Sequence, residues 1–276
     1  MGYNPLVSIW DSKSCKTKYI VPDIQKNSVS CIAFSKDDEY LAIVSNDGSH
    51  TISIYNWKAN FLVSKAYGGS NYVVGVNFID NDYGLVSYGV KELRIWKNIK
   101  SRFPICSRAL LGDIGTLQTF LSCDVFNGQP NIGTADGNLY VFEGSDPTLK
   151  HVVKAHNGAV NALHSNSIVS LLVSGGKDGA IRLWNKSHEC IKEYMVDSII
   201  SLSHSPRVRS VAFNNDGSHI IVGTRGAEIF EITANDGKLV GGKCLVESHG
   251  IRQLWALSSH PIKDEFVTSG DDATIR

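Results

Sequence analysis

No apolar run in this chain approaches the ~18 residues that a membrane-spanning helix needs. The opening Met1-Gly2-Tyr3-Asn4-Pro5 also lacks the basic and apolar regions of a signal peptide. Net charge is missing too: Lys plus Arg number 27 and Asp plus Glu number 27, so no global field draws the chain toward a polyanion. Neither nucleic acid nor membrane is therefore expected among its partners. The six cysteines, at 15, 31, 106, 123, 190 and 244, never stand in Cys-x-x-Cys spacing. At this size and density that argues against a disulfide framework, and with no export signal a reduced, cytoplasmic setting is expected. Cys31, beside Ile32 and near Phe34, sits in an apolar strand pattern where a free thiol acts as a small hydrophobe. The nine histidines are scattered, with no His-x-x-x-His pair, so no metal is expected. Convincing helical periodicity is absent as well. Gly175-Gly176-Lys177-Asp178-Gly179 is glycine-rich, yet it turns one strand pattern into another and leads into no helix N-terminus that could hold a phosphate. No cofactor is expected.

What the chain does have is a repeat. Aromatic residues in the same alternating setting return at Trp10, Tyr55, Trp96, Phe142, Trp184 and Phe230, at intervals of 45, 41, 46, 42 and 46 residues. A period in that range, with several short strands in each repeat, is the signature of a β-propeller. The clearest repeat reads Ala159–His164, Ile168–Ser174, a turn at Gly175–Gly179, Ala180–Asn185 and Cys190–Val196 as four strands. The same parse opens repeats at Val29, Val73, Phe120 and Val208. A half repeat precedes them (Leu6–Trp10, Lys16–Val21), and Trp255–Ser259 with Glu265–Ser269 begins a last one. The expected fold is all-β: a propeller of WD-type four-stranded blades, with five full blades and two partial ones, incomplete at both ends. Unpaired strand edges at the two ends lead us to expect residues 1–276 to be one propeller region cut from a longer protein.

His156, Ser174, Asp178 and Trp184 stand at the spacing of the hydrogen-bonded tetrad of WD repeats, and His249, Thr268 and Asp272 repeat the arrangement in the last blade. Ser, His and Asp together also suggest a catalytic triad. The trio recurs at blade spacing, however, and no Gly-x-Ser-x-Gly elbow accompanies it, so a structural role is expected and no catalytic residue is assigned. Trp255, flanked by Leu254 and Leu257, is expected to be core between blades. Two basic groups remain. Lys91, Arg94, Lys97, Lys100 and Arg102 lie within twelve residues of one another and read first as a solvated blade edge. Lys177, Arg207, Arg209, Arg225 and Arg252 lie near strand ends. Either group, with Lys91 in the first, is a candidate site for an acidic partner.

The blades are also individually recognisable. Val90–Trp96, His50–Trp57 and Lys154–Val160 resemble blade motifs of the echinoderm microtubule-associated protein-like family, and Gly175–Gly179 with Leu183-Trp184, then Val222–Arg225, then Leu254–Pro261 follow in an order similar to that family's. The resemblance covers nearly the whole chain. It implies a tandem-propeller region that binds tubulin, in cytoplasmic proteins that regulate microtubules and the cytoskeleton. The function expected is thus a non-enzymatic protein-interaction module. The alternative reading is a WD-repeat scaffold of another assembly, such as a ciliary or ubiquitin-ligase complex. Coiled-coil and second-propeller flanks would favour the first, and an F-box-like or solenoid flank the second.

Overall fold

The computed structural model describes residues 6–11, 13–21, 28–79, 84–143, 148–201 and 205–247, together with the backbone of the strands at 254–259 and 266–270. The chain divides into two compact units, residues 1–153 and 154–276. In the first, β1 (Val7–Trp10) and β2 (Thr17–Val21) form a hairpin. Three four-stranded antiparallel sheets follow in simple meander order. They are β3 to β6 (Val29–Phe34, Tyr40–Ser45, Ile52–Asn56, Phe61–Ala66), β7 to β10 (Val73–Ile79, Gly84–Gly89, Glu92–Lys97, Ile105–Arg108) and β11 to β14 (Phe120–Phe126, Gln129–Thr134, Asn138–Glu143, Thr148–Lys154). The second unit holds β15 to β18 (Val160–Asn166, Leu171–Gly176, Ala180–Trp184, Cys190–Met195), one helical turn α1 (Val196–Ile199), and β19 to β21 (Val208–Phe213, His219–Thr224, Ile229–Thr233). It ends with the pair β22 (Leu254–Ser259) and β23 (Phe266–Gly270). The five expected blades are thus five separate sheets. The fifth has three strands, and single bridges from Ile229 to Val246 and from Ile232 to Leu239 lie beyond its third.

The core is a series of layers between successive sheets. Strand β4 shows why: Leu41 and Ile43 face one neighbour, together with Val21 and Tyr55, while Ala42 and Val44 face the other, with Val73, Val76 and Trp96. A strand covered on both sides has no polar face, hence the unbroken run Leu41-Ala42-Ile43-Val44, all fully buried. In the same way β8 splits between Leu85 on one side and Val86 and Tyr88 on the other. In the second unit Val173, Ile181 and Leu183 meet Val208, Val211, Ile220 and Phe230. All six cysteines are free thiols. Burial pushes the Cys31 thiol up to about 11 and the fully enclosed Cys123 well above its ordinary value, as inert small hydrophobes require.

Several strand boundaries differ from the sequence reading, two of them at turns. Ile168 and Val169 lie in a turn rather than in β16, because Asn166 Oδ1 accepts from both their amides, at 2.9 and 3.2 Å, closing an Asx turn. Ala227, which strand alternation assigns to the third strand of its blade (Ala227–Ile232), likewise lies outside β21, with φ of 67° in the turn before it. Period-two hydrophobicity cannot distinguish an apolar turn from a strand end; local side-chain hydrogen bonds do.

Candidate functional site: the turn rim of the blades

A β-bulge recurs at one place in every blade. The register slips in the first strand between Val29 and Cys31, Val73 and Gly75, Phe120 and Ser122, Val160 and Ala162, Val208 and Ser210, and Leu254 and Ala256. Opposite the bulge, second and third strands join in a short turn. The first turn residue donates its amide to the carbonyl just before the first strand: Asn46 to Ser28, Val90 to Tyr72, Ala135 to Thr119, Lys177 to Ala159 and Arg225 to Arg207, at 2.7 to 3.0 Å. Each blade is therefore stitched at one rim, and a bulge re-aims side chains there. The sequence-predicted residues that are described in full, His156, Ser174, Asp178, Trp184, Lys91, Lys177, Arg207, Arg209 and Arg225, lie at the turn end of their own blades or on the strands leading to it.

In the β15 to β18 sheet the four tetrad side chains meet. His156 Nδ1 lies 2.9 Å from Asp178 Oδ1, and its Nε2 lies 2.7 Å from Ser174 Oγ. Trp184 Nε1 donates to the same Oγ at 2.9 Å. A carboxylate only accepts, so Nδ1 carries the proton, and Ser174 donates to the bare Nε2 while accepting from the indole. Asp178 also receives the amides of Asn157 (2.8 Å) and Ala180 (3.2 Å). Partial burial opposes its ionisation, but the bonds from His156, Asn157 and Ala180 outweigh burial and hold the carboxyl well below the usual carboxylate range. Gly176 makes room for the pair, since a Cβ there would lie 2.2 Å from His156 Nδ1 and 2.3 Å from Asp178 Oδ1. Ser174 is fully buried, so its hydroxyl meets no solvent.

Arg182 belongs to this network and was not anticipated from sequence. Its guanidinium donates to Ala155 O (2.6 Å), Asp178 Oδ2 (3.2 Å) and Glu193 Oε2. The signal was present in the alternation, because Arg182 pairs directly with Ser174 across β16 and β17. The bulge register identifies the same position elsewhere as Ser53, Arg94, Tyr140 and Phe230. It also corrects the repeat count: Ile232, not Phe230, takes the place of Trp184, whereas Tyr55, Trp96 and Phe142 do match it. The spacing argument slipped by two residues because both positions face the same side of the strand and both are fully buried.

Other blades close the rim differently. In the β7 to β10 sheet Trp96 Nε1 donates to Ser87 Oγ at 2.8 Å, but Gly69 stands where His156 would be. There the buried Glu92 pairs with Arg94 at 2.6 Å. In the β11 to β14 sheet Tyr140 Oη accepts the amide of Thr116 at 3.0 Å, and Thr134 Oγ1 donates to Asp136 at 2.6 Å. In the fifth sheet Thr224 Oγ1 bonds the buried Glu228.

The first basic group is solvated in part: Lys91, Lys100 and Arg102 are exposed, and Arg94 and Lys97 are half-buried. Arg94 is largely enclosed by its pairing with Glu92, Lys100 reaches Asp37 (3.9 Å) and the Tyr40 ring, and Arg102 lies over Phe103. Only part of the cluster, including the turn residue Lys91 (φ 50°), stays exposed. Lys177, Arg209 and Arg225 are exposed and Arg207 is half-buried. His249, Arg252 and Asp272 lie outside the described residues, and Thr268 is known only as a backbone position paired with Leu257. Trp255 is the bulge residue of β22, its side chain likewise outside the description. Among the described residues no cluster of His, Cys, Asp and Glu could hold a metal, and no helix is long and apolar enough to cross a membrane.

The chain resembles known proteins along almost its entire length. It is 27% identical over 280 residues to echinoderm microtubule-associated protein-like 2 of Rattus norvegicus, covering 98% of this chain and 41% of that one. It is 25% identical over 296 residues to echinoderm microtubule-associated protein-like 4 of Xenopus laevis, covering 98% and 30% respectively. This chain therefore spans less than half the length of either relative. In fold it is similar to the Cps50 (Swd1) β-propeller domain of Myceliophteria thermophila, with a TM-score of 0.72 at 14% identity over 98% of this chain and 88% of that one. Residues 2–232 match the family described as the echinoderm microtubule-associated protein first β-propeller, and with five sheets in blade order carrying that match, the chain belongs to this family.

Proposed function

We propose that this chain is a non-catalytic protein-interaction module of a microtubule-associated protein, acting on the cytoskeleton in the cytoplasm and contributing to tubulin binding. We also place residues 1–276 within a single propeller region of a longer, tandem-propeller protein. The observation that carries the reading is family membership over residues 2–232. The interior of the rim supports it. The Ser174–His156–Asp178 set is spent on scaffold: Ser174 is fully buried and bonded to both Trp184 and His156, so no substrate carbonyl can reach its hydroxyl. A set of that kind rigidifies a blade and leaves recognition to the surface around it. No observation favours a scaffold for a ciliary or ubiquitin-ligase assembly. The test is size-exclusion chromatography and co-sedimentation with purified tubulin. Comigration of the chain, or of a version extended across the complete propeller region, is expected; its absence from both refutes the reading.

A further inference from the structure

We infer that the turn rim of the second unit is a docking surface for an extended acidic peptide segment. The inference rests on reading the chain as a protein-binding module. Three cations are brought together there by backbone contacts. Lys177 opens the turn between β16 and β17, and Gly179 of that turn abuts Pro206, with only 2.9 Å between Pro206 Cβ and a Cβ built at Gly179. Arg207 follows Pro206, and its carbonyl takes the amide of Arg225, which opens the turn between β20 and β21. Arg209, the bulge residue of β19, is exposed two positions on. Asn161 Nδ2 donates to Val208 O at 2.7 Å and holds the two blades in this register.

The acids of the same rim are withdrawn. Asp178 turns inward to His156, Arg182 and two amides, and Glu228 is buried on Thr224. Among the described residues two exposed carboxylates remain: Asp197 on α1, which reaches this end through the bond from Val196 N to Gly179 O, and Glu247, which follows the Val246 bridged to Ile229. Among the described residues no carboxylate stands in ion-pair distance of Lys177, Arg207, Arg209 or Arg225. Among the described residues four cations face two exposed carboxylates on a chain whose overall charge is zero. A charge excess confined to one rim, with its counter-charges tied up inside, is built to meet negative charge from outside.

Peptide is favoured over nucleic acid. Single-stranded nucleic acid needs aromatic faces on which bases stack, and every exposed aromatic among the described residues belongs to the first unit. The zero net charge also withholds the long-range attraction that a polyanion backbone exploits.

The experiment is fluorescence anisotropy of a labelled Glu-rich peptide against the full chain. The double variant Lys177→Glu/Arg225→Glu is compared with Lys186→Glu/Lys238→Glu, which makes the same charge change in turns at the other end of these blades. The rim variant is expected to bind about tenfold or more weakly while the control keeps most of its affinity, and wild-type binding is expected to fade between about 50 and about 300 mM salt. Equal loss in both variants, no binding by the wild type, or tighter binding of an oligonucleotide than of the peptide overturns the inference. Should the reversal impair folding by circular dichroism, the neutral pair Lys177→Gln/Arg225→Gln gives the same comparison. Peptide and tubulin are scored separately, so a silent peptide arm with intact tubulin comigration defeats the docking surface alone.

Discussion

Removing one oxygen atom should expose how the fourth blade is held. Ser174→Ala takes Oγ from between two groups that reach no water: the His156 side chain is 0% exposed and Trp184 is 2% exposed. The indole N–H then lacks an acceptor and His156 Nε2 lacks a donor. Each such buried orphan costs ~1–3 kcal/mol, so the variant should lose about 2–6 kcal/mol. Ser87 supplies an internal comparison. It occupies the same register position in the second blade and is equally buried, but it serves Trp96 alone. Ser87→Ala should therefore cost ~1–3 kcal/mol. The two serines lie in different compact units, and a single global transition does not report on each one separately. Native-state hydrogen exchange separates them, read on β17 for Ser174 and on β9 for Ser87. Loss of protection in β17 should exceed that in β9. An effect of Ser174→Ala no larger than that of Ser87→Ala would mean that His156 is not bound through the serine, and the reasoning fails.

Gly176→Ala places a methyl group on both His156 Nδ1 and Asp178 Oδ1 and should destabilise by roughly 2–4 kcal/mol, measured by urea unfolding. An effect within about 0.5 kcal/mol would show that the pair has room to move. Asp178 also gives the rim a pH signature. Its folded pKa lies below the ordinary carboxylate value, so its contribution is complete above that value and is lost as pH falls through the folded one. Asp178→Asn should cost about 1–3 kcal/mol at neutral pH, and the gap to wild type should shrink progressively below about pH 4. A gap independent of pH would rule out a role for the ionised carboxylate.

Much of this was readable from the chain itself. Strand alternation, the glycine-bearing turns and the repeat of some 45 residues imply blades without any coordinates, because a strand buried on both faces and turned every few residues has few other ways to satisfy its backbone. His156, Ser174, Asp178 and Trp184 could be picked out because one blade carries all four residue types at the spacing that lets them bond. Where the blades diverge, that signal fades. Glu92 with Arg94, and Tyr140 with Thr116, do the same closing work with different chemistry, and nothing in their spacing announces it. The slip from Ile232 to Phe230 has a similar origin: two buried positions on one strand face look alike until a bulge sets the register. Charge was the least legible property. Arg94 and Lys100 looked as free as Lys177 and Arg225, and whether a cation is neutralised depends on carboxylates far away in sequence. The chain by itself determined that there are blades, where their turns fall and which blade carries a full tetrad, since those follow from local periodicity. Only the tertiary structure decided which cations have partners and which face outward, because electrostatic pairing is settled by distances of a few ångströms between residues that folding alone brings together.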